Sequence, residues 1–552
     1  MKTSNSDRAR RDSVMLAQVV AGISVLSFFF YLQRGDLLLY GDTVAHINIA
    51  RRVFDSRTPG LLQLGTVWLP LPHLLMVPFL ISDRLWQSGI AGSIPSMLAY
   101  LAGTMGIFRL VRDALSFGLA SSMQVRAAAW ITALVYAANP NLLYLQSTAM
   151  TEPLYLALYI WAAVYFQEWV QFFWASTDGE TKSSSALAKC GLCLFAASLT
   201  RYDGWFLTCT IGLAVFVLAV RKKFQGGKIQ RSMALLVLLA SAGPMLWLSY
   251  NAIVYRNPME FASGPYSAKA IAQRDAALGH PDYPGHSNPK VSFSYFLKSA
   301  EMNLAPQNWG RLWLGILAAG ILGIAAQFRR LWPLLLLGMP IPFYVLSISY
   351  SGVPIFLPEW WPFSFYNLRY GLELLPAFAV AAALSVHFAL RLFQNAYVKT
   401  TILLALIVFV AASYAAVWHA GPVCFQEAAI NSRDRIPMES AVAFNLRKLP
   451  PQSTLLMYLG NHVGAVQQAG IPLAHVVNEG NHRPWKSPVD EEGLWERALT
   501  TPRTYVDYVV AIEGDPVDLR VNKLGMTPIS VLHSRGEPAA TIYWSGRDPR
   551  SH

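Results

Sequence analysis

From position 13 to position 419 the chain passes through about eleven apolar stretches joined by short polar loops, a pattern that points to a bundle of membrane-crossing helices. A crossing needs about 20 mainly apolar residues, and in lipid every backbone N–H and C=O must find its partner inside its own helix. The stretches run roughly over 13–32, 89–108, 127–139, 153–174, 187–199, 205–220, 233–254, 312–328, 331–349, 372–390 and 400–419. Segment 67–81 is apolar too, but it carries Pro70, Pro72 and Pro78, so it reads as membrane-embedded without being a full crossing. The sequence thus predicts a mainly α, polytopic transmembrane fold with about eleven spans, within a range of about ten to thirteen.

Composition agrees, with 54% hydrophobic and only 14% charged residues, against about 45–50% and 25% in soluble domains. The net charge of +12 does not form a nucleic-acid face, because the basic residues stand in short runs between apolar segments. These runs set orientation. With the amino terminus inside, Arg109/Arg112/Arg126, Lys182/Lys189, the run from Arg221, Arg329/Arg330 and Arg391/Lys399 all fall on the cytoplasmic side. The opposite, extracytoplasmic side receives loop 34–70, the turn after Tyr144, the TRYDGW turn, loop 255–308, the loop around Trp360 and the carboxy-terminal tail. The expected location is the inner or plasma membrane. The opening MKTSNSDRARRDS reads as the cytoplasmic flank of an uncleaved anchor, since the apolar run after it is long and no A-x-A site follows.

Residues 1–420 form the transmembrane unit and 421–552 a small α/β domain. In the latter, strand-like runs (STLLMYL, LAHVV, YVDYVVAI, ATIYW) alternate with GNHVGAVQQAG and DEEGLWERALT. The C-x-x-C of Cys190 and Cys193 lies in an apolar segment with no His or acidic neighbour and is read as structural.

Charge at the membrane boundary is costly, so the charged residues there are the candidates for chemistry. In YGDTVAHINIARR, just beyond the first span, Gly41 permits a turn and Asp42 either caps the following helix or serves as a catalytic carboxylate. His46 lies one helical turn on, and Arg51 follows. Glu152, before Pro153 in STAMTEPLYLAL, suits a helix N-terminus and equally a site carboxylate on the same face as Asp42. Arg201 and Asp203 share the LTRYDGW turn; Tyr366, Arg369 and Tyr370 open a late span, where an arginine requires a carboxylate or phosphate partner. The long polar loop GPYSAKAIAQRDAALGHPDYPGHSNPKVS, with Tyr266 and Lys269, reads as a mobile flap over a substrate groove. The spacing of its His280 and His286 matches no standard metal site.

In order and sidedness, these elements resemble the integral-membrane glycosyltransferases of the GT-C superfamily, such as protein O-mannosyltransferases and the aminoarabinose transferases that act on lipid A. The resemblance covers about 13–419 and rests on Asp42 in the first outer loop, WLPLPHLL, the S-x-x-x-T-E-P element ending in Glu152, the RYDG turn and NLRYGLELLPAF. Asp42 is followed by Thr43 instead of the Glu of protein O-mannosyltransferases, and no WWDYG signature of oligosaccharyltransferases is present.

The resemblance implies a GT-C fold and a polyprenyl-phosphate sugar donor, hexosyl (a mannosyl group, for example) or pentosyl. It implies inverting transfer to a lipid, glycan or protein acceptor at the outer face, with Asp42 as base. Arg369, with Arg201 as a second candidate, would neutralise the departing lipid phosphate, and His46, Arg51, Glu152, Asp203, Tyr266, Lys269, Tyr366 and Tyr370 complete the expected substrate-binding set. The scheme requires no cofactor, although Asp42 and Glu152 are suited to a divalent ion. The competing expectation is a transporter or flippase of lipid-linked sugars, which calls for charged or broken-helix sites near the midplane and a repeat between halves.

Overall fold

The computed structural model describes residues 5–116, 122–174, 180–221, 227–460, 462–481, 491–521 and 524–547. Among the described residues eight helices are long and apolar enough to cross a membrane: Asp7–Arg34, Ile90–Ser116, Asp203–Arg221, Arg231–Tyr255, Trp309–Ala326, Phe328–Tyr350, Leu368–Leu392 and Ala396–Asn431. The protein is an integral membrane protein. The three other expected spans are also helical, at Met123–Ala137, Glu152–Trp174 and Glu180–Ser198. The first is only 15 residues long, the second is rich in aromatic residues and the third opens on polar residues; all three pack inside the bundle, where Val135, Tyr155, Tyr159, Trp169 and Leu187 belong to one continuous core. The proline-rich segment forms an 11-residue helix, Pro70–Leu80, too short to span.

One end of the bundle is basic. There Arg126 Nη2 meets Asp12 Oδ1 at 2.5 Å, Arg109 pairs with Glu168 and Asp113, and the carbonyl of Arg330 accepts from Gln167 Nε2 at 3.2 Å. At the other end the chain leaves the bundle in three pieces. The first loop forms the helix Gly41–Arg52, the long loop contributes Ala268–Ala277 and Pro289–Met302, and the tail folds over both.

The tail holds a five-stranded sheet in the order β2-β1-β3-β5-β4, with β1 Leu455–Met457, β2 Val476–Val477, β3 Tyr508–Ile512, β4 Thr527–Ser534 and β5 Glu537–Trp544. β1 runs parallel to β2 and β3, while β5 lies antiparallel between β3 and β4, with Val510 opposite Ile542. Side chains alternate between two cores as a strand requires. Leu455, Met457, Val476, Val510 and Ile512 face a core shared with Ile47, Ala50, Met76, Leu80 and Trp86; Leu456, Val477, Val509 and Ala511 face a second core around Trp495. The sheet is therefore built onto the first-loop helix. Strand β4 has no counterpart among the predicted strands, because Pro528 and a largely exposed face mark it as an edge without clean alternation.

Loop 255–308 contains three helical segments, Glu260–Ser263, Ala268–Ala277 and Pro289–Met302. Helix Pro289–Met302 buries Tyr295, Phe296 and Ala300, whereas helix Ala268–Ala277, capped by Ser267 Oγ on the N–H of Ala270 at 3.2 Å, buries nothing. His286 Nδ1 lies 3.2 Å from Asp282, both exposed.

Candidate active site at the non-basic end of the bundle

Two arginines organise the site, each held by three carboxylates. Arg369 Nη2 donates to Asp42 Oδ2 at 2.6 Å, its Nη1 to Glu427 Oε1 at 2.6 Å and its Nε to Glu152 Oε1 at 3.2 Å. Arg201 reaches the same Glu152 oxygen at 3.1 Å, Asp203 at 3.1 Å and Glu373 at 3.1 Å. Glu152 is thus the shared link between the two. Tyr344 OH donates to Glu373 Oε1 at 2.6 Å and lies 2.8 Å from Arg201 Nη2. The ring of Tyr370 sits between the guanidiniums, 5.2 Å from Arg201 and 5.1 Å from Arg369, and Tyr40 covers Arg369 at 5.2 Å.

Local sequence explains how the groups converge. Asn367 takes a left-handed φ of 58°, which an asparagine tolerates, and its Nδ2 donates to Pro354 O at 2.8 Å. The chain then enters the 3-10 segment Leu368–Leu374, where Gly371 lies against the backbone of Ser299 and Ala300 so closely that a side chain would collide with it. The turn brings Leu368 N–H to Glu427 Oε2 at 2.6 Å. Glu427 itself comes from helix Val423–Asn431, which is pinned by Tyr40 OH to Cys424 O and by Cys424 N–H to Asn141 Oδ1, both 2.8 Å.

Exposure separates the carboxylates. The side chains of Glu152, Asp203, Glu373 and Glu427 are at most 1% exposed, whereas that of Asp42 is 37% exposed. A buried pair that has paid its desolvation is costly to break. Asp42 is therefore the partner Arg369 releases most easily. Asp42 lies in the first turn of its helix and Tyr40 occupies the capping position, so its carboxylate goes to the arginine instead of to the helix backbone.

The remaining expected residues are placed as follows. His46 turns away from Asp42 and sets its Nδ1 2.9 Å from His73 Nε2, with the Trp68 ring 4.6 Å away. Burial, followed by the charges of Arg369 and Arg201, lowers the His46 pKa to about 3, and burial lowers that of His73 well below its usual value. Both are neutral at physiological pH. Arg51 leaves the site altogether, bonded to Asp55 at 2.7 Å, Asp83 at 2.8 Å and Leu80 O at 2.5 Å. Tyr366 borders the cluster with its ring 5.6 Å from Phe356. Tyr266 and Lys269 are exposed on the long loop, and Tyr266 faces Tyr458 and Glu479 of the tail instead of the arginines. Asp42 and Glu152, the carboxylates suited to a divalent ion, are both engaged by Arg369. Among the described residues no group of three or more His, Cys, Asp or Glu side chains is arranged to hold a metal ion.

Glu427, Glu373, Tyr344, Tyr40 and His73 were not among the expected site residues. Glu373, two residues from the Gly371 turn in the same NLRYGLELLPAF motif, carried a signal as an acid inside an apolar run. Glu427 carried none, since it follows the last span in a stretch that reads as the start of the soluble tail.

Solved structures with the same architecture are ArnT from Cupriavidus metallidurans in the apo state (TM-score 0.58, 15% identity, 98% of each chain covered) and bound to undecaprenyl phosphate (TM-score 0.55, 15% identity, 96% of this chain and 97% of that one). The chain has the GT-C fold. The Archaeoglobus fulgidus oligosaccharyltransferase also aligns, with TM-score 0.48 and 13% identity over 91% of this chain and 69% of that one. No protein-family model and no curated protein sequence matches the chain.

Proposed function

We propose that the protein is a glycosyltransferase that moves a sugar from a polyprenyl-phosphate donor to a hydroxyl of a lipid, glycan or protein acceptor, at the outer face of the membrane and with inversion. The observation that carries this reading is the half-exposed Asp42 carboxylate on an otherwise buried arginine, at the end of the bundle opposite the basic loops. The likeness to an undecaprenyl-phosphate-bound ArnT supports the choice of donor class.

The donor phosphate takes the place of Asp42 on Arg369 Nη2, while Glu152 and Glu427 keep the guanidinium oriented. Displaced, Asp42 accepts the proton of the acceptor hydroxyl as that oxygen bonds to the anomeric carbon. The bond from the anomeric carbon to the phosphate oxygen breaks, its electron pair stays on the polyprenyl phosphate, and Arg369 offsets the added charge. Arg201, whose three carboxylate partners are all buried, serves in this scheme as the strut for Glu152 and Tyr344. Tyr370, stacked between the two guanidiniums, closes the wall beside the reacting atoms.

The test is transfer of radiolabelled sugar by purified protein in lipid from polyprenyl-phosphate mannose, glucose, galactose and arabinose, compared with Asp42→Asn. Turnover of one donor, abolished in the variant, is expected. Silence across donors and acceptors refutes the reading.

A further inference from the structure

The stretch of chain that follows the last span touches both halves of the active site. Helix Val423–Asn431 supplies Glu427, which accepts from Arg369 Nη1 and from the N–H of Leu368, both at 2.6 Å, and its Cys424 carbonyl accepts from Tyr40 OH at 2.8 Å. Shortly beyond, Arg435 opens the helix Arg435–Leu446. Its Nη2 donates to the carbonyls of Leu38 and Leu39 at 3.1 and 2.9 Å, and its Nη1 to Glu439 Oε2 at 2.7 Å.

Those two carbonyls stand just ahead of Asp42. The helix Gly41–Arg52 takes up the Tyr40 carbonyl, which accepts from the N–H of Val44 at 3.3 Å, but among the described residues no backbone N–H reaches those of Leu38 and Leu39. They need a donor from elsewhere, and Arg435 serves both from one nitrogen. The bundle bears on the other side of the turn, where Gly89, at a φ of 80°, lies so close to Leu38 that a side chain would collide with it. Arg435 is itself fixed. Glu439 is 1% exposed, its carboxylate lies against Gly464 where a Cβ would collide, and Met438 and Val442 of the same helix enter the core shared with Ile47 and Ala50. The Arg435–Glu439 pair carries no net charge, so it acts on Asp42 through position.

We propose that Arg435, oriented by Glu439, is a positioning residue for transfer: it sets the entry of the helix that carries Asp42, and with it the place of that carboxylate relative to Arg369. The assignment rests on the reading of Asp42 as the base. One stretch, 423–439, then places the base through Leu38, Leu39 and Tyr40 and the phosphate ligand through Glu427. Donor affinity belongs to Arg369 and its buried carboxylates and stays as it is without Arg435. The step in which Asp42 takes the acceptor proton slows, since a misplacement of about 1 Å at a reacting group costs about 100-fold in rate.

The experiment compares wild type, Arg435→Met and Arg435→Met/Glu439→Gln in lipid nanodiscs. The double variant is needed because Arg435→Met alone strands a buried carboxylate and destabilises the fold. Radiolabelled undecaprenyl phosphate counts the binding-competent molecules and gives the dissociation constant, kcat is measured per binding site, and hydrogen–deuterium exchange is followed over residues 41–47. Both variants are expected to lose about 10–100-fold in kcat, with an unchanged dissociation constant and faster exchange over 41–47. Arg433→Gln, on the exposed neighbour, should match wild type in all three. A double variant with wild-type kcat per site, a loss of undecaprenyl phosphate binding as large as the loss of kcat, or unchanged exchange over 41–47 overturns the proposal. Wild type that binds undecaprenyl phosphate yet transfers no sugar refutes the glycosyltransferase reading instead, and exchange over 41–47 then decides by itself whether Arg435 places the Asp42 helix.

Discussion

If the donor phosphate replaces Asp42 on Arg369, then Asp42→Asn has two opposite effects: it destroys transfer and strengthens donor binding. The loss follows from removing a general base, a contribution of about 10²–10⁴-fold in rate. The gain follows from removing a competitor for Nη2. A hydrogen bond between charged groups is worth about 1.5–3 kcal/mol, but the Asp42 carboxylate is 37% exposed and Arg369 keeps Glu152 and Glu427. Solvent screening brings the term down to about 1 kcal/mol, and with about 1.4 kcal/mol per tenfold the affinity for a polyprenyl phosphate should rise about fivefold. Equilibrium binding of radiolabelled undecaprenyl phosphate to protein in lipid nanodiscs, beside transfer assays on the same preparations, measures both. An Asn variant that folds normally yet binds the phosphate lipid several-fold more weakly refutes the exchange, for Asp42 would then be helping to hold the donor.

Three other perturbations address the supports of the site. Glu427→Gln leaves Arg369 with one buried anionic partner fewer, and breaking a buried pair costs about 3–5 kcal/mol. The expected result is a large fall in unfolding temperature, with any surviving activity showing weakened donor binding. His46 and His73 have lowered pKa values in the fold, His46 to about 3, so between that value and about 6.5 the unfolded chain binds more protons. Their contribution to stability is complete above about pH 6.5 and is lost on acidification, by up to about 1.4 kcal/mol per pH unit for each histidine. Unfolding temperature should therefore fall from pH 7 to pH 5, and His46→Gln should flatten that slope. Gln467→Ala removes the tail residue that accepts from Asn48 Nδ2 and donates to Trp86 O, both at 2.7 Å. Asn48 Nδ2 keeps Val44 O and Trp86 O keeps the Gly89 N–H, so the cost is that of two lost hydrogen bonds, about 1–2 kcal/mol, with reduced transfer, read by thermal unfolding and initial rates.

How much of this was legible depends on whether a feature is local. Apolar length, basic loops and the proline-rich Pro70–Leu80 helix are properties of contiguous residues, and the bundle, its short embedded helix and the clustering of Asp42, Glu152, Arg201, Asp203, Arg369 and Tyr370 emerged from them. Arg51 shows the limit: at one helical residue's remove from Arg52 its charge looked functional, yet the face it occupies turns it toward Asp55 and Asp83. Pairing partners distant in sequence were invisible. Asp42 meets Arg369 across most of the transmembrane unit, and Glu427 arrives from a helix that follows it. Arg369 shows why this matters, since residue type and depth indicate that an arginine needs a carboxylate or a phosphate but not which anion already occupies it. Here three protein carboxylates do, and only the exposed one is free to leave. The chemistry of the site therefore turns on the 37% exposure of Asp42 beside the near-total burial of Glu152 and Glu427, a contrast that arises when the first-loop helix is laid against the bundle mouth and held there by the tail.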